Sequence, residues 1–386
     1  MNQINRKVKL LLGAAAALAT MSLAQAQVEI TLTGSTAFRA DTYRAIRTMF
    51  DGGFLENAAS FPAGGGPPAT ASNPTNAGLV TWTGTMSNLF ALPTTVTVRA
   101  SWSGSVGGIQ TVAQNLTVPY LSSSTSGNTN TVNLTADFAL ADNIQGNTLY
   151  TTPVLDDILF GVVPFTWAKS AGTPAAVDDV STLLAQGILP LGNLPLWQFS
   201  STLPVDASLM YVVNRDNKSG TRVVTFAECG YGVFTPSTGS KMVNTANCAL
   251  GMTFDTVGFS SGGNVAGQLN AATCLAAIGY LGINDALTLT GQPANWLKWN
   301  GVAYSKTAVQ NGSYSFWGYE HIMNRTPLGS SEATWRGTPT NPLDPSTAPV
   351  NSFLYKVNTE LASAPGAIQL GTMNVQRAVE GGVITP

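Results

Sequence analysis

Three short stretches, far apart in the chain, carry residue types suited to holding an oxyanion: Gly34-Ser35-Thr36, Gly104-Ser105-Val106-Gly107-Gly108 and Arg215-Asp216-Asn217-Lys218-Ser219-Gly220-Thr221. Each follows an apolar, β-branched run and precedes residues with helical spacing, so each reads as a strand-to-helix turn. The first turn of a helix leaves backbone N–H groups without internal partners at the positive end of its dipole, where an anion is stabilised. One such turn is an ordinary helix cap. Three of them, one led by an arginine, predict helix N-termini converging on a single anion. Arg215 would supply a bidentate fork. Ser35, Thr36, Ser105, Ser219 and Thr221 would supply hydroxyls, and the turns at Ala37, Gly220 and Thr221 would supply amides.

Other chemistry is poorly provided for. His321 is the single histidine and sits in the aromatic segment Phe316-Trp317-Gly318-Tyr319-Glu320-His321, where it reads as packed rather than catalytic. Without a second histidine, a Ser-His-Asp or Cys-His arrangement has only that residue to use. Cys229, Cys248 and Cys274 match no zinc spacing, and as an odd set they allow at most one internal disulfide, Cys229 with Cys248 being the closest pair in sequence. Clustered acids for a hydrolytic metal site are missing too. The reading is a binding protein, not an enzyme, with no metal or other cofactor.

Composition narrows the setting. Arg6, Lys7 and Lys9, then Leu10 to Leu23, then Ala24-Gln25-Ala26, have the layout of a cleavable signal peptide ending at Ala26. The apolar run is too short and alanine-rich to span a bilayer, and no later run is long enough, so the mature chain should hold no integral membrane segment. Beyond the signal, 15 basic residues face 20 acidic ones, a net charge of −5, which argues against nucleic acid as a partner. Charged residues make up only 10% of the chain. Such composition, rich in Gly, Ser, Thr and Asn, suits a periplasmic or secreted protein with long polar loops.

The elements that must position the three turns alternate between strand and helix. Val28 to Leu32 reads as a strand, followed by a helical stretch from Thr36 to Phe50 on which Arg39, Arg44 and Arg47 read as a solvated face. Residues 51 to 93, with Ala63-Gly64-Gly65-Gly66-Pro67-Pro68 at their centre, read as an inserted loop holding a hairpin around Leu79 to Trp82. Strands are expected at Thr94 to Trp102, Ile158 to Phe165, Leu209 to Val213 and Ala276 to Leu281, and helices after Val106, Ser181 and Thr221. The tail from Arg325 to Pro349 reads as loop before a helix near Ser352 to Ser363. Alternation of this kind predicts α/β architecture with the ligand at the carboxyl ends of strands.

The ordered set of motifs resembles the phosphate-binding proteins of bacterial phosphate ABC transporters, two-lobed periplasmic binding proteins of type II. Leu32 to Phe38 is similar to that family's first phosphate loop and Gly104 to Ile109 to its second. Ala136-Asp137-Phe138-Ala139-Leu140-Ala141-Asp142 resembles the stretch whose last aspartate meets the ligand, and Arg215 to Thr221 the Arg-x-x-x-Ser-Gly-Thr loop. Ala277-Ile278-Gly279-Tyr280 resembles a return strand, and Trp317-Gly318-Tyr319-Glu320 a late aromatic segment.

The resemblance implies two α/β lobes with mixed sheets and a cleft between them. One lobe would comprise 27 to 165 plus 280 to 386, with the insertion at about 51 to 93, and the other 166 to 279. It implies inorganic phosphate as ligand, a transporter permease as partner, and a site of Ser35, Thr36, Ala37, Ser105, Asp142, Arg215, Ser219, Gly220 and Thr221. A carboxylate at Asp142 makes chemical sense, because it accepts the proton of hydrogen phosphate and repels fully ionised sulfate. Asn217 and Lys218 depart from the family's usual Asp and Gly, which moves the arginine's acidic neighbour to Asp216. The low charge and long polar loops leave open a surface structural or adhesive protein of the same fold, or a receptor for another oxyanion.

Overall fold

The computed structural model describes residues 27–62, 66–244, 249–254 and 257–386. The expected signal peptide lies outside them, as do Ala63, Gly64, Gly65 and Cys248. The chain opens with β1 (Val28–Gly34), α1 (Arg39–Arg47), β2 (Leu55–Ser60), β3 (Ala69–Thr70), β4 (Leu79–Met86) and β5 (Thr94–Ser101). Next come α2 (Ser105–Ala113), β6 (Thr117–Leu121), β7 (Thr131–Thr135), β8 (Phe138–Ala141), β9 (Asp156–Lys169), β10 (Asp179–Val180), α3 (Thr182–Leu191) and β11 (Asn193–Pro195). β12 (Leu209–Val213), α4 (Gly220–Glu228), β13 (Thr238–Asn244), β14 (Ala249–Phe254), α5 (Gly262–Ala271) and β15 (Ala276–Gly282) follow. The remainder is α6 (Ile283–Ala286), β16 (Lys298–Trp299), α7 (Lys306–Gln310), β17 (Trp317–Asn324), α8 (Ser330–Arg336) and α9 (Phe353–Leu361).

One mixed sheet of eleven strands, in the order β11-β12-β15-β9-β17-β8-β1-β5-β4-β2-β3, organises the molecule. β1 is parallel to both β5 and β8, and β12 is parallel to β15. Between these groups β9 changes partner along its length. Its residues 156 to 164 pair with β17, whereas Phe165 to Lys169 pair with β15. The second half of β9 and all of β15 are buried residue by residue, as continuous apolar runs in a covered sheet should be. Beyond this exchange, Leu297 N donates to Trp167 O, and Asp179 and Val180 of β10 pair with Lys298 and Trp299 of β16.

Aromatic contacts lock the helices onto the sheet. Phe38 meets Phe160 edge-on at 5.2 Å, and Trp335 of α8 stacks on Phe353 of α9 at 4.7 Å. Such pairs add about 0.5 to 1.5 kcal/mol beyond burial of their area.

Residues 51 to 93 are the clearest departure from expectation. Instead of a loop with one hairpin around Leu79 to Trp82 they supply β2, β3 and β4, which extend the sheet beyond β5. The anchor is Glu56, which accepts from the buried Trp82 Nε1 at 2.8 Å and from Tyr43 OH at 2.6 Å. α8 likewise occupies part of a tail read as loop, and the first helix begins at Arg39 rather than Thr36. The closest cysteine pair in sequence is not a disulfide: Cys229 is a free, buried thiol, and Cys274 is disulfide-bonded. No helix among the described residues is long and apolar enough to cross a membrane.

Candidate functional site

The first loop follows directly from how β1 ends. Gly34 has φ +117°, and a Cβ there would stand 2.0 Å from the carbonyl oxygen of Leu140, so only glycine lets β1 come this close to β8. Ser35 N then donates to that carbonyl at 2.7 Å, which fixes the turn. The Ser35 hydroxyl accepts from Phe38 N at 3.3 Å and donates to Glu320 Oε2 at 3.4 Å. Thr36 Oγ1 accepts from Arg215 Nη2 at 3.3 Å, joining the first loop to the third. Ala37 is buried beside Gly282.

The second loop is tied to the first by Gly104 N donating to Gly34 O at 2.9 Å. Its helix, α2, gives the amides of Val106 and Gly107 to the carbonyl oxygen of Lys218 at 3.0 and 3.3 Å, so this helix terminus clasps the arginine loop. Ser105 Oγ donates to Asp142 Oδ1 in a short hydrogen bond and accepts from Asp142 N at 3.3 Å. Asp142 closes β8 and takes a second hydroxyl, Thr221 Oγ1, at 3.2 Å. Burial pushes its carboxyl above the ordinary range, with Ser105 and the Arg215 charge pulling the other way.

The third loop holds Arg215 at the end of β12, only 1% exposed. Its Nε donates to Phe259 O at 2.9 Å and its Nη2 to Ser260 O at 3.1 Å, while Nη1 is buried without a partner. Ser219 caps α4, its hydroxyl accepting from Arg222 N at 3.2 Å. That leaves Gly220 and Thr221 in the first turn with amides that the helix itself does not use. Gly220 packs so closely that a Cβ would lie 1.9 Å from Asp142 Oδ1. Asp216 accepts from Lys218 N at 3.0 Å, and no ion pair joins it to Arg215 among the described residues.

All nine residues singled out from sequence are therefore buried. Hydrogen bonds link Thr36 with Arg215, and Ser105 and Thr221 with Asp142. Gly220 presses on Asp142, Ser35 turns toward Glu320, and Ser219 and Ala37 border the group. His321 lies elsewhere, its Nδ1 on the Asp157 carboxylate at 2.9 Å. Burial works to lower its pKa, but Asp157 together with Glu380 and Asp142 outweighs it and the net shift is upward.

Three charged residues of this neighbourhood were not anticipated. Arg39 does not join a solvated face: it is 6% exposed, donates from Nη1 to Ala77 O at 3.3 Å, and leaves Nε unpartnered. Thr36 lies in the turn just before the helix that Arg39 opens. Asp285 is buried among Arg39, Arg215 and Asp142, and burial raises its carboxyl while Arg39 and then Arg215 oppose the shift. Glu320 is fully buried, and desolvation followed by the nearby Asp142 charge pushes it well above the carboxylate range.

Two groups of strands joined through β9 and β15, with a buried polar site at the carboxyl ends of β1, β8 and β12, define the two-lobed type II periplasmic-binding-protein fold. Among solved structures, the chain is similar to a Clostridium perfringens protein assigned as a phosphate ABC transporter substrate-binding protein and carrying bound phosphate. The TM-score is 0.50 with 13% identity, over 88% of this chain and 99% of that one. An ABC-type phosphate transport receptor from Vibrio cholerae is also similar, with TM-score 0.41 and 11% identity, over 79% of this chain and 90% of its own. Identities at this level speak to the fold. No family model matches the chain, and no curated protein matches it in sequence.

Proposed function

We propose that the protein is an extracytoplasmic receptor for inorganic phosphate, delivering it to an ABC transporter permease. The observation that carries this reading is the pairing of a buried arginine whose Nη1 has no partner with a buried carboxyl that already gathers hydroxyl donors. A dianion taken out of water needs fixed donors and a cation. Arg215 supplies the cation, Thr36, Ser105 and Thr221 the hydroxyls, and the first turn of α4 the amides. Ser35, Ala37 and Ser219 shape the loops that hold them. Asp142 discriminates among anions by accepting a proton that hydrogen phosphate carries and sulfate lacks.

The lobes divide where β9 exchanges β17 for β15: 27 to 165 with 280 to 386 on one side, and 166 to 279 on the other, with Leu297 to Trp299 leaning on the second. The chain acts as a binding protein after export through the signal at its start. Titration calorimetry with phosphate, arsenate and sulfate tests the reading. Phosphate and arsenate should bind at one site with sulfate far weaker, and an absence of phosphate binding would overturn it.

A further inference from the structure

A second chamber, of about 180 Å³, lies beside the arginine site. Its lining includes Thr36, Arg39, Phe61, Trp102, Ser261 and Asn264. Thr36 also belongs to the first site, where Arg215 donates to its hydroxyl, so the chamber adjoins that site. Part of the lining, including Phe61 and Asn76, comes from the insertion at residues 51 to 93.

The chamber is built for negative charge. Arg39 brings a guanidinium that is 94% buried by its 6% exposure, with one described hydrogen bond and an unpartnered Nε. Trp102, also in the lining, has an indole N–H that is buried without a partner. Buried donors left unmatched are costly, and a guanidinium offers five in a rigid fork suited to phosphoryl oxygens. Ser60, Asn76, Ser260, Ser261 and Asn264 are the other polar residues of the lining, and no carboxylate is among the described lining residues. Asp285 stands behind Arg39 as its countercharge, outside the lining. The first site, by contrast, contains Asp142 and accepts one proton-bearing group. Only Phe61 and Trp102 give the chamber sizeable apolar surface, too little to select an organic substituent.

We propose that this chamber receives the second phosphoryl group of a condensed phosphate, so that the protein binds diphosphate with one phosphoryl group at Arg215 and the other at Arg39. The proposal rests on the oxyanion reading of the first site and adds a ligand class to it.

Calorimetric titrations of the purified protein with inorganic phosphate and inorganic diphosphate, with competition between them, provide the test. Diphosphate should bind one to one and displace phosphate. Arg39→Gln should weaken diphosphate relative to phosphate by about tenfold or more, the loss of a charge-assisted contact. Asn264→Asp puts a negative charge on the exposed rim, at a helix start where acids are tolerated, and should also weaken diphosphate selectively. Thermal melts establish that each variant is folded, and if Arg39→Gln is not, Asn264→Asp decides. Phosphate binding without diphosphate binding, or equal losses for both ligands in the folded variants, would overturn the chamber assignment alone. Diphosphate binding without phosphate would uphold the chamber and remove the inorganic phosphate reading, and binding of neither would remove both.

Discussion

On the proposed reading, Arg215 divides its guanidinium between structure and ligand. Nε and Nη2 are committed to Phe259, Ser260 and Thr36, and Nη1 is buried without a partner. Arg215→Ala should therefore cost about 2 to 5 kcal/mol of phosphate affinity, the usual penalty for truncating one partner of a desolvated charge pair. Calorimetry reads this directly, and unchanged affinity would refute the role. Asp142→Asn should act differently, because an amide donates where a carboxylate only accepts. Sulfate should gain on phosphate in that variant, as measured by titrating both anions across pH.

The buried acids also set how stability depends on pH. Burial raises the carboxyls of Asp41, Asp142, Asp285 and Glu320 in the folded chain. The folded state consequently binds more protons than the unfolded one above the ordinary carboxylate pKa of about 4. Their stabilisation is complete below that value and is lost as pH rises through the folded pKa values, and the net upward shift of His321 has the same sign. The melting temperature of the ligand-free protein should fall as pH rises out of the ordinary carboxylate range, and more gently in Glu320→Gln. A flat or rising profile would contradict this.

At the scale of elements, the closest fit is where β1 meets β8. Gly34→Ala places a Cβ against the Leu140 carbonyl and forces an unfavourable φ, so it should destabilise the fold by at least about 1 to 3 kcal/mol, the usual cost of a strained backbone residue. Urea denaturation measures it, and a variant as stable as the parent would show that the turn can relax. This junction was legible in sequence, because an alternating strand ending in Gly-Ser-Thr before an amphipathic helix is a local pattern. The arginine loop between β12 and α4 was legible for the same reason, as were the apolar runs of β9 and β15. The sheet extension through β2 and β4 was not. Leu55 to Ser60 is a small-residue segment whose strand character depends on partners supplied by β4 and on Glu56 meeting Trp82 and Tyr43. Arg39 was misread because a charged helical residue is ordinarily solvated, and its burial depends on Asp285 and Ala77, which only the fold brings near. The disulfide state of Cys229 was equally non-local, since sequence proximity says nothing of where a helix carries the thiol.

At the scale of the molecule, polar contacts tie residues 27 to 165 to residues 166 to 279. The Lys218 carbonyl on the amides of α2 and the Arg215–Thr36 bond both cross between these two segments. The lobes are also joined in a second way. β9 runs for 14 residues, with its first part paired to β17 and its last part paired to β15, so the same strand belongs to both halves of the sheet. Neither half can lose its strand pairing without exposing the backbone of the other. Melting of the ligand-free protein should then be a single calorimetric transition whose van't Hoff and calorimetric enthalpies agree. Two resolved transitions would show that the halves are thermodynamically separate. The shared strand has a further consequence for dissection: a chain cut within β9 should yield no fragment that folds by itself, and the pieces should regain structure only when mixed.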